Sequence, residues 1–457
     1  MSFRLQFNNA SIPHPIIGLC LVLAAALSLA MALSSRSDAH PDEAHHLSAA
    51  LYYREHFVPP VIGDPKVRES YSVWGVSYLN YHWAEYFYAG KFAGLTAPLV
   101  GDARLAARFA NISLLAALAA LGIFAIRRGS EAAMAPCMLV VSPQIWYVFS
   151  YSNNDAFALT VATLLAYLLI AGGGVVEKYI REDRLVYGAV FGVLTGLLAV
   201  CKPNYWTFLL FAAGWMMIEA RPLNARVVKK LAAVAVIAAS VVAFRVGLDL
   251  YVNGETNFAG ASYVSYFLGG FETQQTKLMR YQDEIAEYPF KPSTLEHDLA
   301  GSRAEVKLRA KGVTAWQMFT VWRFHVYSFC SFVGVYGYLT IWGRGWYYAV
   351  MALLYTAMGI YLAVKLIRGR DRGSVARMVL FAACAFVAIA GSFYLSWNYA
   401  FQPQGRYLFP IVPMAAVTIA AERSRFDGRI VNALLAAMFV LSAYSFVVFG
   451  LKNINQP

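Results

Sequence analysis

The run His40-Pro41-Asp42-Glu43-Ala44-His45-His46 puts two adjacent carboxylates and three histidines a few residues beyond an uncharged apolar segment, Ile16 to Leu33. Acidic side chains are costly beside hydrocarbon and tend to mark sites. Neighbouring residues on a helix point about 100° apart, so Asp42 and Glu43 suit different catalytic tasks. One acts as a general base, and the other orients it or holds a cation. A plainer reading makes Asp42 the cap of a helix running from Glu43 towards Phe57, with Pro41 just before it. Asp42 with His45 or His46 also has a spacing that suits a divalent ion on one helical face, so a metal is left open. Five of the eight histidines (His40, His45, His46, His56 and His82) fall in this stretch, and interfacial hydrogen bonding is their simpler role.

Three other polar clusters interrupt the apolar sequence: Ser152-Asn153-Asn154-Asp155, Cys201-Lys202-Pro203-Asn204 and Gln402-Pro403-Gln404-Gly405-Arg406-Tyr407. Lys202 and Arg406 are the candidates to bind a lipid phosphate, arginine through a bidentate fork and lysine as a point charge. Snorkelling from a span end is the competing role of each. Pro403 and Gly405 shape the turn before Arg406, and Pro410 and Pro413 break the helix after it, leaving backbone groups free to line a cavity. The substrate-binding candidates are Asn153, Asn154, Asp155, Asn204, Gln404 and Tyr407, with His45 and His46. Arg108 and Arg245 lie near the ends of apolar segments, with Asp249 one turn after Arg245, a spacing that suits an intramembrane ion pair.

The elements that position these residues follow from composition. The chain has 457 residues, 59% hydrophobic and 14% charged, with a mean hydropathy of +0.50. No ordinary water-soluble domain of this size is so apolar. Eleven segments are candidate spans: Ile16–Leu33, Leu105–Ile126, Ala132–Phe149, Ala156–Val176, Leu185–Val200, Tyr205–Ile218, Leu231–Val252, Trp346–Val364, Met378–Trp397, Tyr407–Ala421 and Ile430–Leu451. Most approach the roughly 20 residues a helix needs to cross hydrocarbon. The first could be a signal peptide, but its length and the segments that follow favour a retained anchor. The expected fold is all-α: a single polytopic transmembrane domain, 1–457, with two long loops, 34–104 and 253–345.

Orientation comes from basic residues in the short loops. Arg127 and Arg128, then Lys178, Arg181 and Arg184, then Arg221, Arg226, Lys229 and Lys230 lie in one alternate set. That set continues with Lys365, Arg368, Arg370, Arg372 and Arg377, and with Arg423, Arg425 and Arg429; the opposite short loops hold only Lys202 and Arg406. Seventeen against two puts the N-terminus in the cytoplasm and both long loops outside. The net charge of +12 is thus a topology signal, and no nucleic-acid partner is expected. The first long loop is rich in tyrosine and tryptophan, which suits helices in the headgroup layer. The second has a polar middle from about Glu272 to Lys311 and then an aromatic stretch, Trp316 to Trp342, expected to be a re-entrant or interfacial helix pair. Five scattered cysteines show no metal-ligand spacing and read as small core residues.

The Pro41-Asp42-Glu43 motif opening the first external loop of a polytopic chain resembles the GT-C superfamily of integral-membrane glycosyltransferases, which includes protein O-mannosyltransferases and lipid A aminoarabinose transferases. The Gln404-Gly405-Arg406-Tyr407-Leu408-Phe409-Pro410 stretch, Ser152–Asp155 and Lys202-Pro203-Asn204 resemble a less characterised bacterial branch of it. The resemblance implies an inverting glycosyltransferase at the outer face of a bacterial inner membrane, with a polyprenyl-phosphate sugar as donor. The acceptor would be a lipid-linked or cell-envelope glycan. The family's external carboxylate falls on Asp42, with Glu43 beside it, and Arg406 and Lys202 would hold the leaving phosphate. No cofactor is assigned, and a divalent metal is left open. A membrane glycan ligase or polymerase and a flippase are the alternatives; the second would call for ionisable groups near the membrane midplane.

Overall fold

Apolar length decides which segments cross the membrane. The computed structural model describes residues 13–37, 39–81, 84–255, 276–368 and 372–456. Among them, seven helices are long and apolar enough to cross: Pro15–Ser34, Ala103–Arg127, Asp155–Gly173, Ala225–Asn253, Gly345–Ile367, Arg372–Asn398 and Gly428–Leu451. The chain is therefore that of a multi-pass membrane protein. His82, Arg370 and the beginning of the polar stretch at Glu272 lie outside the described residues.

Seven of the eleven expected segments reach crossing length among the described residues; the other four are bent or shorter. The third segment is two helices, Glu131–Val141 and Pro143–Phe149, meeting at 91°. Proline pushes the residue before it into an extended conformation. Ser142 accordingly has φ −138° and ψ 129°, and its hydroxyl accepts from the Gln144 amide to start the second helix. Leu185–Cys201 has 17 residues and Trp206–Glu219 has 14. The segment beginning at Tyr407 is a tight 3₁₀ turn, Gly405–Leu408, followed by the eleven-residue helix Ile411–Ala421. Each is shorter than the roughly 20 residues that a crossing typically takes.

Close helix packing sets where the polar loops emerge. A Cβ on Gly192 would stand 2.9 Å from Ile237, and one on Gly196 would stand 2.6 Å from the Ala238 carbonyl. These glycines let Leu185–Cys201 lie directly on Ala225–Asn253. Lys202 follows immediately at the end of the packed helix. Arg245 pairs with Asp249 as the spacing suggested, and it also donates to the Asn80 carbonyl at 3.1 Å.

In the first long loop, Glu43–Glu55 packs on Ala84–Val100, which in turn packs on Ala103–Arg127. Small residues (Ala49, Ala50, Ala89, Ala93, Ala106 and Ala110) make the interface, with Tyr53 and Tyr86 fully buried in it. The aromatic stretch of the second loop forms two short helices, Ala315–Thr320 and Phe324–Gly334. It then turns through a small antiparallel hairpin in which Val335 pairs with Trp342 and Tyr336 with Ile341. That hairpin is the β-structure an all-α expectation did not include. All five cysteines are buried and none forms a disulfide.

Candidate active site

A cavity of about 190 Å³ opens where these loops meet. Pro41, Asp42, Gln404 and Arg406 form one part of its wall; Gln144, Tyr147 and Tyr151 form another. Ser331 and the hairpin turn Gly337–Leu339 complete it. Asp42 and Arg406, more than 360 residues apart in the chain, thus face one space.

Asp42 reaches that space through an unusual backbone. Its φ of 57° and ψ of 8° are left-handed, a conformation aspartate and asparagine tolerate better than most residues. Its carbonyl accepts from the His45 and His46 amides at 3.0 and 3.1 Å, so it occupies the cap position. Its side chain makes no capping bond, however. The carboxylate instead turns to the cavity, with the Tyr78 hydroxyl 3.5 Å from Oδ2. Capping therefore does not account for the acid.

Glu43 has a different place. Its oxygens accept from Arg108 Nε and Nη2, both at 2.7 Å, and Oε1 also accepts from the Ser152 amide at 3.0 Å. Both carboxylate and guanidinium are buried. Arg108 Nη1 donates to the Ala32 and Ser35 carbonyls at 2.9 and 2.8 Å, and Nη2 to the Arg36 carbonyl at 2.8 Å. Arg108 is thus paired across the fold, and Glu43 anchors the loop that carries Asp42. His40 completes the anchor. It lies between the Ser35 and Tyr147 hydroxyls at 2.7 and 2.9 Å and stacks on Tyr151. Burial, helped by Arg108, holds its imidazole well below its ordinary pKa, so it is neutral.

The two cations meet at Asp155. Lys202 Nζ is 2.6 Å from Asp155 Oδ1 and 3.2 Å from Asn154 Oδ1. Arg406 Nη1 is 3.6 Å from Asp155 Oδ2. Burial pulls the Lys202 ammonium below its ordinary value; Asp155 opposes that shift and Arg406 adds to it. The Tyr407 ring lies 5.7 Å from Lys202 Nζ, and its hydroxyl donates to Gln402 Oε1 at 2.6 Å. Gly405 is required here because any side chain would collide with the Phe332 backbone. Its amide donates to Ser331 Oγ at 2.7 Å, and that hydroxyl donates to the Pro403 carbonyl at 2.9 Å. The turn that aims Arg406 is thereby fixed to Phe324–Gly334.

Several substrate-binding candidates serve the scaffold. Asn153 Oδ1 accepts from the Asp155 and Ala156 amides at 2.8 and 3.2 Å, and Nδ2 donates to the Tyr151 carbonyl. Asp155 is fully buried as the partner of the two cations. His46 is buried, stacks on Tyr78 with centroids 4.0 Å apart and lies 2.5 Å from the Tyr86 hydroxyl through Nδ1. Asp42, His45 and His46 consequently form no metal site: no group of three His, Cys, Asp or Glu side chains among the described residues could hold an ion. His45 Nδ1, both amide atoms of Asn204 and Arg406 Nε are buried with no hydrogen-bond partner among the described residues.

The sequence reading missed Glu85, Tyr147, Tyr151 and the pairing of Arg108. Only Arg108 carried a signal: a lone arginine within a span needs a buried acid somewhere. Glu85 begins Ala84–Val100, outside the seven spans, and is buried beside Cys201, Lys202 and Arg245. Burial pushes its carboxyl up to about 8.

No protein-family model matches the sequence, and no curated protein does. Among the chain's structural neighbours is ArnT of Cupriavidus metallidurans. Its crystal structures in the apo state and bound to undecaprenyl phosphate each give a TM-score of 0.44 at 13% identity, covering 94% of this chain and 63% of ArnT. The chain thus spans less than two thirds of the length of that neighbour.

Two measurements check this geometry. Replacing Glu43 by Met strands the Arg108 charge and should cost about 3–5 kcal/mol of stability, whereas Glu43→Met with Arg108→Met should recover much of it. A double variant as unstable as the single one would show that the pair does not act as a unit. Glu85 has a folded-state pKa above its unfolded value, so folding takes up a proton and stability falls as pH rises from about 5 towards about 8. The melting temperature of Glu85→Gln should lack that decline; parallel curves for both proteins would refute the assignment.

Proposed function

We propose that this protein is an inverting glycosyltransferase that moves a sugar from a polyprenyl-phosphate donor to a lipid-linked or cell-envelope glycan. The single observation that carries the reading is that Asp42 and Arg406 line one cavity at the ends of the membrane helices. A base and a phosphate-binding fork facing one space are what an in-line displacement at a sugar carbon needs. Asp42 takes the proton from the acceptor hydroxyl as its oxygen attacks the anomeric carbon. The lipid phosphate departs on the opposite side, where Arg406 and Lys202 bear its charge. His45, Asn154, Asn204, Gln404 and Tyr407 are the polar groups around donor and acceptor. Glu43 acts through Arg108 and the loop backbone, as a positioning residue.

The distribution of basic residues supports an outward-facing cavity on a bacterial inner membrane, with the N-terminus inside. Single cysteines near residues 42, 202 and 406 should react with an impermeant thiol reagent added outside, and ones near 128, 226 and 425 should not. Labelling of both sets from one side would end the single-site argument.

The activity test is direct: the purified protein is incubated with a panel of prenyl-phosphate sugars and acceptors, and release of prenyl phosphate is measured. Asp42→Asn keeps shape and backbone preference but removes the base, so turnover should fall roughly 10²–10⁴-fold with donor binding intact. Arg406→Lys keeps the charge but loses the fork, so it should weaken donor binding. Near-normal turnover in Asp42→Asn would refute the assigned base.

A further inference from the structure

Asp155 sits where a phosphate-binding pair is least expected to keep company with an acid. It is fully buried, touches Lys202 at 2.6 Å and faces Arg406 at 3.6 Å. The contact with Arg406 is too long for a hydrogen bond. Asp155 Oδ2 and Arg406 Nε are both buried without a hydrogen-bond partner among the described residues. Lys202 is therefore largely engaged, while Arg406 keeps donor capacity in hand. Two cations and one carboxylate leave a single net positive charge in a group that reaches the cavity through Arg406.

We infer that Asp155 makes this site discriminate between phosphate esters, favouring a singly charged lipid phosphodiester over a doubly charged lipid phosphomonoester. The inference rests on the glycosyl-transfer reading and adds how the product leaves. During transfer the acceptor oxygen–carbon bond forms and the carbon–phosphate oxygen bond breaks. The bonding pair goes to the phosphate and the acceptor's proton goes to Asp42. Total charge is unchanged, but its location is not. The donor is a diester of charge −1; the product is a monoester with a second pKa of about 6, carrying nearly −2 at neutral pH.

After that step Asp42 holds the proton. Glu85, the other carboxyl near Lys202, is pushed up to about 8 by burial and is mostly neutral at pH 7. Glu43 is matched by Arg108. Asp155, which already offsets one of the two cations, is then an ionised carboxylate close to the newly formed dianion, in a buried setting where like charges repel strongly. The repulsion expels the spent lipid phosphate and limits product inhibition.

The test uses the full-length protein at pH 7 with two probes that differ in one charge: a polyprenyl phosphate and its methyl diester. The wild type should bind the diester at least as tightly as the monoester. Asp155→Asn, which still accepts from Lys202, should bind the monoester roughly tenfold or more tighter than the wild type, with a much smaller change for the diester. Asp155→Glu should keep the wild-type preference. A wild type that binds the monoester tenfold more tightly than the diester would overturn the inference without any variant, so it stays testable if Asp155→Asn fails to fold. Equal shifts for both lipids in Asp155→Asn would also overturn it. Binding of neither lipid to the wild type would overturn the functional reading, and this inference with it.

Discussion

One buried guanidinium organises the candidate site. All five N–H groups of Arg108 are engaged: two by Glu43, and the others by the carbonyls of Ala32, Ser35 and Arg36 and the Ser35 hydroxyl. The Ala103–Arg127 helix thereby closes the end of Pro15–Ser34, where helix carbonyls lack partners and a cation is favoured. It also grips the loop helix at its first residue. Through Glu43 and the Ser152 amide, the same cluster reaches the segment that leads to Asp155. Removing two charges from water is expensive, and full hydrogen bonding is what offsets it. The acid side and the cation side of the cavity are registered to each other by this one set of bonds.

The second constraint is steric. Gly405 fits against the Phe332 backbone only because it has no side chain, and Ser331 ties the turn at both ends. Gly192 and Gly196 do the same for the helix that delivers Lys202. Cations on flexible stems would otherwise sweep a wide volume. Placing each of them directly after a tightly packed glycine segment restricts their bases and leaves only the side-chain torsions free. Under the proposed function that suits a site whose rate depends on positioning more than on bond-making groups.

Much of this was legible in the sequence, but unevenly. Hydropathy located the ends of the spans, and the polar clusters at those ends held Asp42, Lys202 and Arg406. It is blind to what Pro143, Pro410 and Pro413 do to an apolar run, which the structure bends or shortens at those points. It could not tell which of two adjacent polar residues faces the cavity. Asp42 and Glu43 are separated by a backbone angle that composition does not encode; likewise Asn153 makes a local capping bond while Asn154 accepts from Lys202. Arg108 and Glu43 are 65 residues apart, so no helical spacing links them. Glu85 carries no mark in the sequence; the packing of Ala84–Val100 is what encloses it.

The left-handed backbone at Asp42 has an evolutionary side. At most surface acids, aspartate and glutamate exchange freely because the charge is kept. Here glutamate has no comparable ease in that conformation, whereas asparagine adopts it as readily as aspartate. The easy path from this residue therefore leads away from chemistry: a drift to asparagine would leave the loop, the anchor and the cations intact. Under the proposed function, copies of this chain that lost the base in that way would persist as folded membrane proteins with a pocket for lipid phosphate, ready to be selected as binders instead of enzymes.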